Sequence, residues 1–425
     1  MDDLVIHAGP ALLVVYDPSG TNTAYAAGQG SFKSIMFAVF QHARKAAMTA
    51  ATVVSTLALA ACDTLPTGGG PSINTTKPVP VALLVPRGSA QSGDALLAKS
   101  LENAARMAIA DLNGAQIDLR IYDTAGTPQQ AATAATTAIN DGARIILGPV
   151  YAEAANAAGL VAAQRNVNVL AFSNNTAIAG GNVFILGPTF DNTARRLTSY
   201  ATRQGKGNMV IVSGSDPAGQ AGRVAIERAA AGTGANINGA VSYELSQQGV
   251  INAIPTIRST VASSGAQSVF LTANTAGALP LLTQLMPEAG VDPAATQYIG
   301  LTRWDIPAQT LALPGVQGGW FAMPDTNRSQ QFRSRYQASY GAAPHPIGGL
   351  AYDGIAAIGA LVSAGKSDAL TGAALTRGNG FQGTGGIFRL RPDGTNERGL
   401  AVATIQEQKV VVIDPAPSSF AGAGF

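Results

Sequence analysis

Cys62 is the chain's only cysteine, and it closes the quartet Leu59-Ala60-Ala61-Cys62. An uncharged run of small and apolar residues, Ala46 to Ala61, precedes it, with a basic cluster of His42, Arg44 and Lys45 before that. A basic start, a short apolar core and small residues at the cut make up an export signal beginning at Met36. A single cysteine allows no intramolecular disulfide. Two of the three histidines, His7 and His42, stand upstream of the expected cleavage point, so the exported chain keeps only His345. One histidine and one cysteine at a processing site provide neither a thiol nucleophile nor a multi-histidine metal site. The sequence contains no H-E-x-x-H and no G-x-S-x-G. Gly378-Asn379-Gly380-Phe381-Gln382-Gly383 spells G-x-G-x-x-G, but it follows a helical pattern and enters a strand, the reverse of a dinucleotide loop. Asp123 and Asp216 as an acid–base pair are outweighed by surface and cap roles. His345, in Ala343-Pro344-His345-Pro346, reads as a loop residue, and Trp304 and Trp320 as core or rim. The expectation is a protein that is not an enzyme and has no cofactor and no metal.

Composition agrees. Hydrophobic residues make up 46% and charged residues 12%, too apolar for a disordered chain. The net charge of +2, with no basic stripe on any predicted helix, argues against nucleic-acid binding. No apolar run after Cys62 reaches the roughly 18 residues of a membrane span. The Leu-Ala-Ala-Cys quartet resembles the bacterial lipobox. That resemblance implies a Cys62 that is acylated, becomes the new N-terminus and anchors the protein to the outer or inner membrane, facing the periplasm. Residues 1–35 read as an upstream extension, either from a mis-assigned start or as an unusually long n-region, 36–61 as the signal peptide and 62–78 as a Pro/Gly/Thr-rich flexible tether.

From Val79 onward, short apolar runs alternate with helical periodicity. Val79–Val85 reads as a buried strand and Asp94–Asn113 as a helix with Leu97, Leu101, Ala104, Ala105 and Ala108 on one face. Strands at Ile117–Tyr122, Arg144–Leu147 and Val167–Phe172 and helices from Thr127 and Ala152 complete a first series. After Pro188 a second series runs through strands at Met209–Val212, Ile237–Tyr243, Ser268–Leu271 and Tyr298–Leu301. Two such series predict two parallel sheets with right-handed crossovers. The tail breaks the rhythm with helices Ser329–Tyr340 and Leu350–Ala364. An antiparallel ribbon of Gly386–Leu390, Leu400–Gln406 and Val410–Ile413 follows.

Several segments now carry a family resemblance over about residues 79–414. They are Ile146-Leu147-Gly148-Pro149, Val169–Ser173, Phe184–Pro188, Ala351-Tyr352-Asp353-Gly354 and Phe381–Phe388 with Asp393-Gly394. Their order and spacing resemble the type I periplasmic binding proteins of the Leu/Ile/Val-binding group. The resemblance implies an α/β fold of two Rossmann-like lobes joined by three crossovers, with ligand held between them. Lobe I is expected at 79–188 with 321–382, lobe II at 189–320 with 383–414, and a tail at 415–425.

Ligand-facing loops belong at the carboxyl ends of the strands. The cleft candidates are Tyr151, Ser173, Asn174 and Asn175 on the first lobe, and Asp216, Thr272 and Asn274 on the second. An amino-acid clamp needs hydroxyls for the carboxylate and an acid for the ammonium. Tyr151-Ala152-Glu153 lacks the family's serine, and Thr272–Ala278 has no acid. A preserved fold with an eroded clamp resembles the penicillin-binding-protein activator lipoproteins. That resemblance implies a non-enzymatic activator or scaffold of peptidoglycan synthesis whose partner is a penicillin-binding protein. The alternative is a solute-binding lipoprotein of an ABC importer, for amino acids or another small polar ligand.

Overall fold

The computed structural model describes residues 69–421. Cys62, the signal segment and residues 1–35 lie outside the described residues.

The first parallel sheet is built from β1 (Val79–Val85), β2 (Ile117–Asp123), β3 (Ile145–Leu147), β4 (Asn168–Ala171) and β5 (Val183–Ile185), in the order β2-β1-β3-β4-β5. Its central strands are apolar runs because both faces are covered. In β1, Val81, Leu83 and Val85 face one core while Ala82 and Leu84 face the other. The helix α1 (Asp94–Ala110) packs over the first face, and the alanine-rich α2 (Pro128–Asn140) and α3 (Ala152–Ala163) pack over the second.

The chain then crosses over at Gly187-Pro188 into α4 (Phe190–Arg203), whose start is fixed by a reciprocal capping box between Thr189 and Asn192. The second series continues with β6 (Asn208–Gly214), α5 (Pro217–Thr233), β7 (Asn236–Tyr243), α6 (Gln247–Ser264), β8 (Ser268–Leu271), α7 (Leu279–Glu288), β9 (Gln297–Gly300) and β10 (Trp320–Met323). It recrosses at Pro324 into α8 (Thr326–Tyr340), α9 (Gly349–Val362), the single turn α10 (Gly372–Leu375) and a small antiparallel sheet of β11 (Phe381–Gly383), β12 (Gly386–Leu390) and β13 (Asn396–Arg398). A third crossing at Gly399 delivers β14 (Ala401–Gln406) and β15 (Lys409–Asp414) to the second sheet, whose order is β15-β14-β10-β9-β8-β6-β7. β6 to β10 are parallel, and β14 runs antiparallel to β10. This is the two-lobed, three-crossover α/β architecture.

The lobe boundaries differ from those expected. β10 pairs with β9 and β14, so residues 321–323 belong to the second sheet. Residues 383–398 stay with the first lobe, because Phe388 and Leu390 complete its core. The expected single ribbon is therefore two structures, β11–β13 on one lobe and β14–β15 on the other. The tether reading also fails for residues 69–78. The side-chain amide of Asn168 donates to the Gly69 and Leu370 carbonyls at 2.8 Å each, and Ile73 is buried with its N–H on the Ser367 carbonyl at 2.9 Å. Short glycines let this strap lie flat: a Cβ on Gly70 would stand 2.4 Å from the Leu370 carbonyl oxygen. The tail likewise returns to the first lobe, where Arg389 stacks over the Phe420 ring at 4.5 Å.

Trp304 is fully buried and lies over Gly300 and Gly319, where a Cβ on either would come within 2.1 Å of the indole. Trp320 packs edge-on against Tyr200 at 4.9 Å between centroids. Both tryptophans serve packing.

Candidate ligand-binding site

Tyr151 and Ser173–Asn175 come together at the ends of the neighbouring strands β3 and β4, and Asp216, Thr272 and Asn274 at the ends of β6 and β8. Most of their polar capacity is already occupied. Tyr151 precedes α3 and donates its hydroxyl to Oδ1 of Asp94 at 2.6 Å. Burial, with the Asp94 hydrogen bond and charge added, pushes that phenol up to about 12. Oγ of the buried Ser173 accepts the Asn175 N–H at 3.1 Å, and Oδ1 of Asn175 accepts the Ala177 N–H at 2.9 Å. Asp216 caps α5, taking the N–H groups of Ala218 and Gly219. Oγ1 of Thr272 accepts the Gly214 N–H at 3.3 Å, which ties β8 to β6. Asn174 and Asn274 are exposed.

A cavity of about 330 Å³ spans the two lobes beside the crossovers. The loop after β9 gives it Arg303 and Ile306, α8 gives Ser329, Phe332 and Arg333, and the turn before α9 gives Pro344 through Ile347. Asp353 of α9, Thr384, Arg398 and Leu400 close the hinge side. None of the seven strand-end candidates lines it. Its walls are apolar at Phe332, Ile347, Leu350 and Leu400, while its charged groups are predominantly cationic: Arg303, Arg333 and Arg398 against Asp353.

The one carboxylate in that lining is fully engaged. Asp353 is 1% exposed; its Oδ1 accepts the Thr384 N–H at 2.7 Å and the Thr384 hydroxyl at 3.0 Å, and its Oδ2 pairs with Arg398 at 3.1 Å. Gly383 makes room for this, since a Cβ there would sit 2.7 Å from Oδ1. Nearby, Asp305 is bound by Arg303 through both Nε and Nη2. Arg333 differs: its Nη2 donates to Oε1 of Gln330 at 2.8 Å, and it has no carboxylate partner among the described residues. Its helix is otherwise a polar surface helix with Tyr336 buried.

Sequence reasoning missed Arg303, Asp305, Phe332 and Arg333. Thr272–Ala278, after β8, offers no acid, and Asp305, after β9, is engaged by Arg303 and does not line the cavity. The signal was present: Arg303-Trp304-Asp305 directly follows an apolar strand, at the end where ligands bind. Arg333 carried no such signal, being one of several arginines on an exposed helix.

His345 is half-buried; its N–H donates to Oγ of Ser100 at 2.9 Å and its Nδ1 accepts the Ile347 N–H at 3.4 Å. Burial depresses the imidazole below its usual range, and the Asp94 charge offsets this only in part. The unfolded chain therefore takes up the proton first as pH falls past about 6.5. Stability contributed by the neutral imidazole is fully present above that pH and is lost on the way down to the folded value. Urea midpoints measured from about pH 7.5 to about 5.5 should fall less steeply for His345→Gln than for the wild type. Equal slopes would show that His345 does not report on this window.

Among the described residues, no group of three or more His, Cys, Asp or Glu side chains could hold a metal ion, and no helix is long and apolar enough to cross a membrane.

Residues 78–409 match the family described as periplasmic binding protein. The chain belongs to that family. Its solved neighbours share the fold at low identity. A candidate branched-chain amino acid ABC transporter protein from Rhodospirillum rubrum is 18% identical, with a TM-score of 0.67 over 79% of this chain and 100% of that one. An ABC transporter substrate-binding protein from Desulfitobacterium hafniense, in complex with Leu, is 17% identical with a TM-score of 0.57, over 79% and 100% of the two chains. A solute binding protein of an ABC transporter from Rhodopseudomonas palustris BisB5, in complex with 3,4-dihydroxybenzoic acid, is 17% identical with a TM-score of 0.51, over 80% and 98%. No curated protein matches the chain.

Proposed function

We propose that this periplasmic binding protein is the solute-binding component of an ABC importer, held at the membrane through Cys62, and that it binds without turnover a small carboxylate with an apolar body. The observation that carries this reading is Arg333, a guanidinium without a carboxylate partner among the described residues, on a cavity whose other walls include Phe332, Ile347 and Leu400. A guanidinium fork pairs with a carboxylate through two parallel hydrogen bonds, and the apolar walls cover the rest of the solute. A ligand ammonium has no comparable partner here, because Asp353 and Asp305 already hold arginines, and a buried unpaired ammonium is costly. The importer reading is supported over the activator of peptidoglycan synthesis expected from the sequence. The structural relatives are transport proteins, and the ligands named for two of them, leucine and 3,4-dihydroxybenzoic acid, both carry a carboxylate.

Calorimetric titration with 3,4-dihydroxybenzoate, 4-methyl-2-oxopentanoate and leucine tests the proposal. A carboxylate without an ammonium should bind at least about tenfold more tightly than leucine. Arg333→Ala should remove about 1.5–3 kcal/mol, the contribution of a charged hydrogen bond, and so weaken binding roughly ten- to a hundredfold. Tight binding of leucine that is unchanged in Arg333→Ala would overturn it.

A further inference from the structure

A second cavity, of about 150 Å³, lies where the first and third crossovers meet the start of α4, and Arg398 lines both it and the cleft cavity. Its walls come from both lobes: Thr176, Arg391 and Thr395 from the first, Arg195, Arg196 and Arg228 from the second.

Five arginines line it, Arg195, Arg196, Arg228, Arg391 and Arg398, against Asp191, Asp393 and Glu397, while Arg196 and Arg398 have further carboxylates, Asp414 and Asp353, outside the lining. Glu397, 6% exposed, has Arg195 at 3.6 Å, Arg391 at 2.5 Å and Arg389 around one carboxylate. Arg228 is paired with Asp191 at 2.6 Å, and the exposed Asp393 accepts from its neighbour Thr395 and stands 3.8 Å from Arg391. Two buried polar atoms belonging to the lining residues have no partner among the described residues. One is Nη1 of Arg196, a residue 5% exposed, whose Nε is held by the Leu400 carbonyl and whose Nη2 pairs with Asp414 at 3.0 Å. The other is Oδ1 of Asn396, 4% exposed. The orientation of that amide is fixed, because its Nδ2 donates to the Ile185 and Gly187 carbonyls at 2.8 and 2.9 Å, leaving the oxygen as the open acceptor. A buried polar atom left unpaired is destabilising, so these two favour an occupant. They ask for opposite things: the guanidinium N–H needs an acceptor, and the amide oxygen needs a donor.

We propose that this hinge cavity is a second ligand site, for a small oxyanion that also carries a hydroxyl hydrogen, such as a hydrogen phosphate or a hydroxycarboxylate. The anionic oxygens accept from the arginines while the hydroxyl donates to Asn396. Because the walls come from both lobes, the bound anion bridges them across the crossovers.

The test uses the full chain at an ionic strength fixed with sodium chloride, with inorganic phosphate, glycolate and sulfate as probes. Phosphate or glycolate should bind saturably by calorimetry, and sulfate, which has no hydroxyl hydrogen at neutral pH, more weakly. Arg391→Gln and Arg228→Gln should each weaken binding at least about tenfold. If Arg391→Gln does not fold, Arg228→Gln decides, since that side chain is 65% exposed. Arg333→Ala, in the cleft, should leave phosphate binding intact. No saturable binding of either hydroxyl-bearing anion, equal affinity for sulfate, unchanged binding in Arg228→Gln, or loss of binding in Arg333→Ala would overturn the proposal.

Discussion

Asp353→Ala is expected to destabilise the folded chain by about 3–5 kcal/mol, the usual cost of breaking a buried ion pair from one side. The carboxylate is 1% exposed and the Arg398 side chain 9% exposed, so the arginine cannot turn to water once its partner is gone. The Thr384 N–H loses its acceptor at the same time. The remaining contacts of Arg398, to the Leu186 carbonyl and over the Phe388 ring at 5.2 Å, hold the guanidinium where it is. Asp353→Asn keeps the shape but leaves the charge of Arg398 unmatched, so it should retain most of the loss. Urea denaturation of both variants measures this. A loss under about 1 kcal/mol would mean that Arg398 finds another partner.

Cys62→Ser should move the protein from the membrane fraction to the soluble periplasm, or leave it as an unprocessed precursor. Cys62 lies outside the described residues, and the Leu59–Cys62 quartet carries the expectation. Each buried acyl CH₂ contributes about 0.8 kcal/mol, so two or three chains anchor firmly, while a serine hydroxyl offers no thiol to acylate. Fractionation with intact-mass measurement gives the answer. Membrane association unchanged in the variant, with the precursor sequence intact, would rule out the anchor.

The fold was readable because it depends on the covering of two sheets. Buried parallel strands are short apolar runs, so β1, β3, β6 and β8 stand out, and the helices between them carry apolar faces. What stayed hidden is polar and long-range. β13 is Asn396-Glu397-Arg398, three polar residues with no apolar strand pattern. They are accommodated by the Ile185 and Gly187 carbonyls, by the arginines around Glu397 and by Asp353, the last 45 positions away from Arg398 in the chain. No local pattern encodes such partners. β10 was placed at a lobe boundary because a four-residue apolar strand does not declare which sheet it joins.

The site was half readable for a related reason. Strand-end loops were searched for polar residues, and Ser173, Asn175 and Asp216 have the composition of both a ligand contact and a local cap. A serine two positions before an asparagine, or an aspartate before Pro217-Ala218-Gly219, satisfies its own backbone first. Arg333 and Phe332 reach the cleft only because α8 is folded back beside the crossovers. The motifs Ala351–Gly354 and Gly383–Gly386 were noticed without their meaning: they form the Asp353–Thr384 contact, where Gly354 lets α9 approach Leu147 and Gly383 clears the carboxylate.

The central claim is that the cleft holds a small carboxylate. Native mass spectrometry of the protein purified under gentle conditions tests it most directly. The expected spectrum shows an added small-molecule mass, or gains one on incubation with 3,4-dihydroxybenzoate or 4-methyl-2-oxopentanoate, and Arg333→Ala loses it while remaining folded. A wild-type protein that stays at its bare mass with every carboxylate offered, or an adduct retained in full by Arg333→Ala, would contradict the claim.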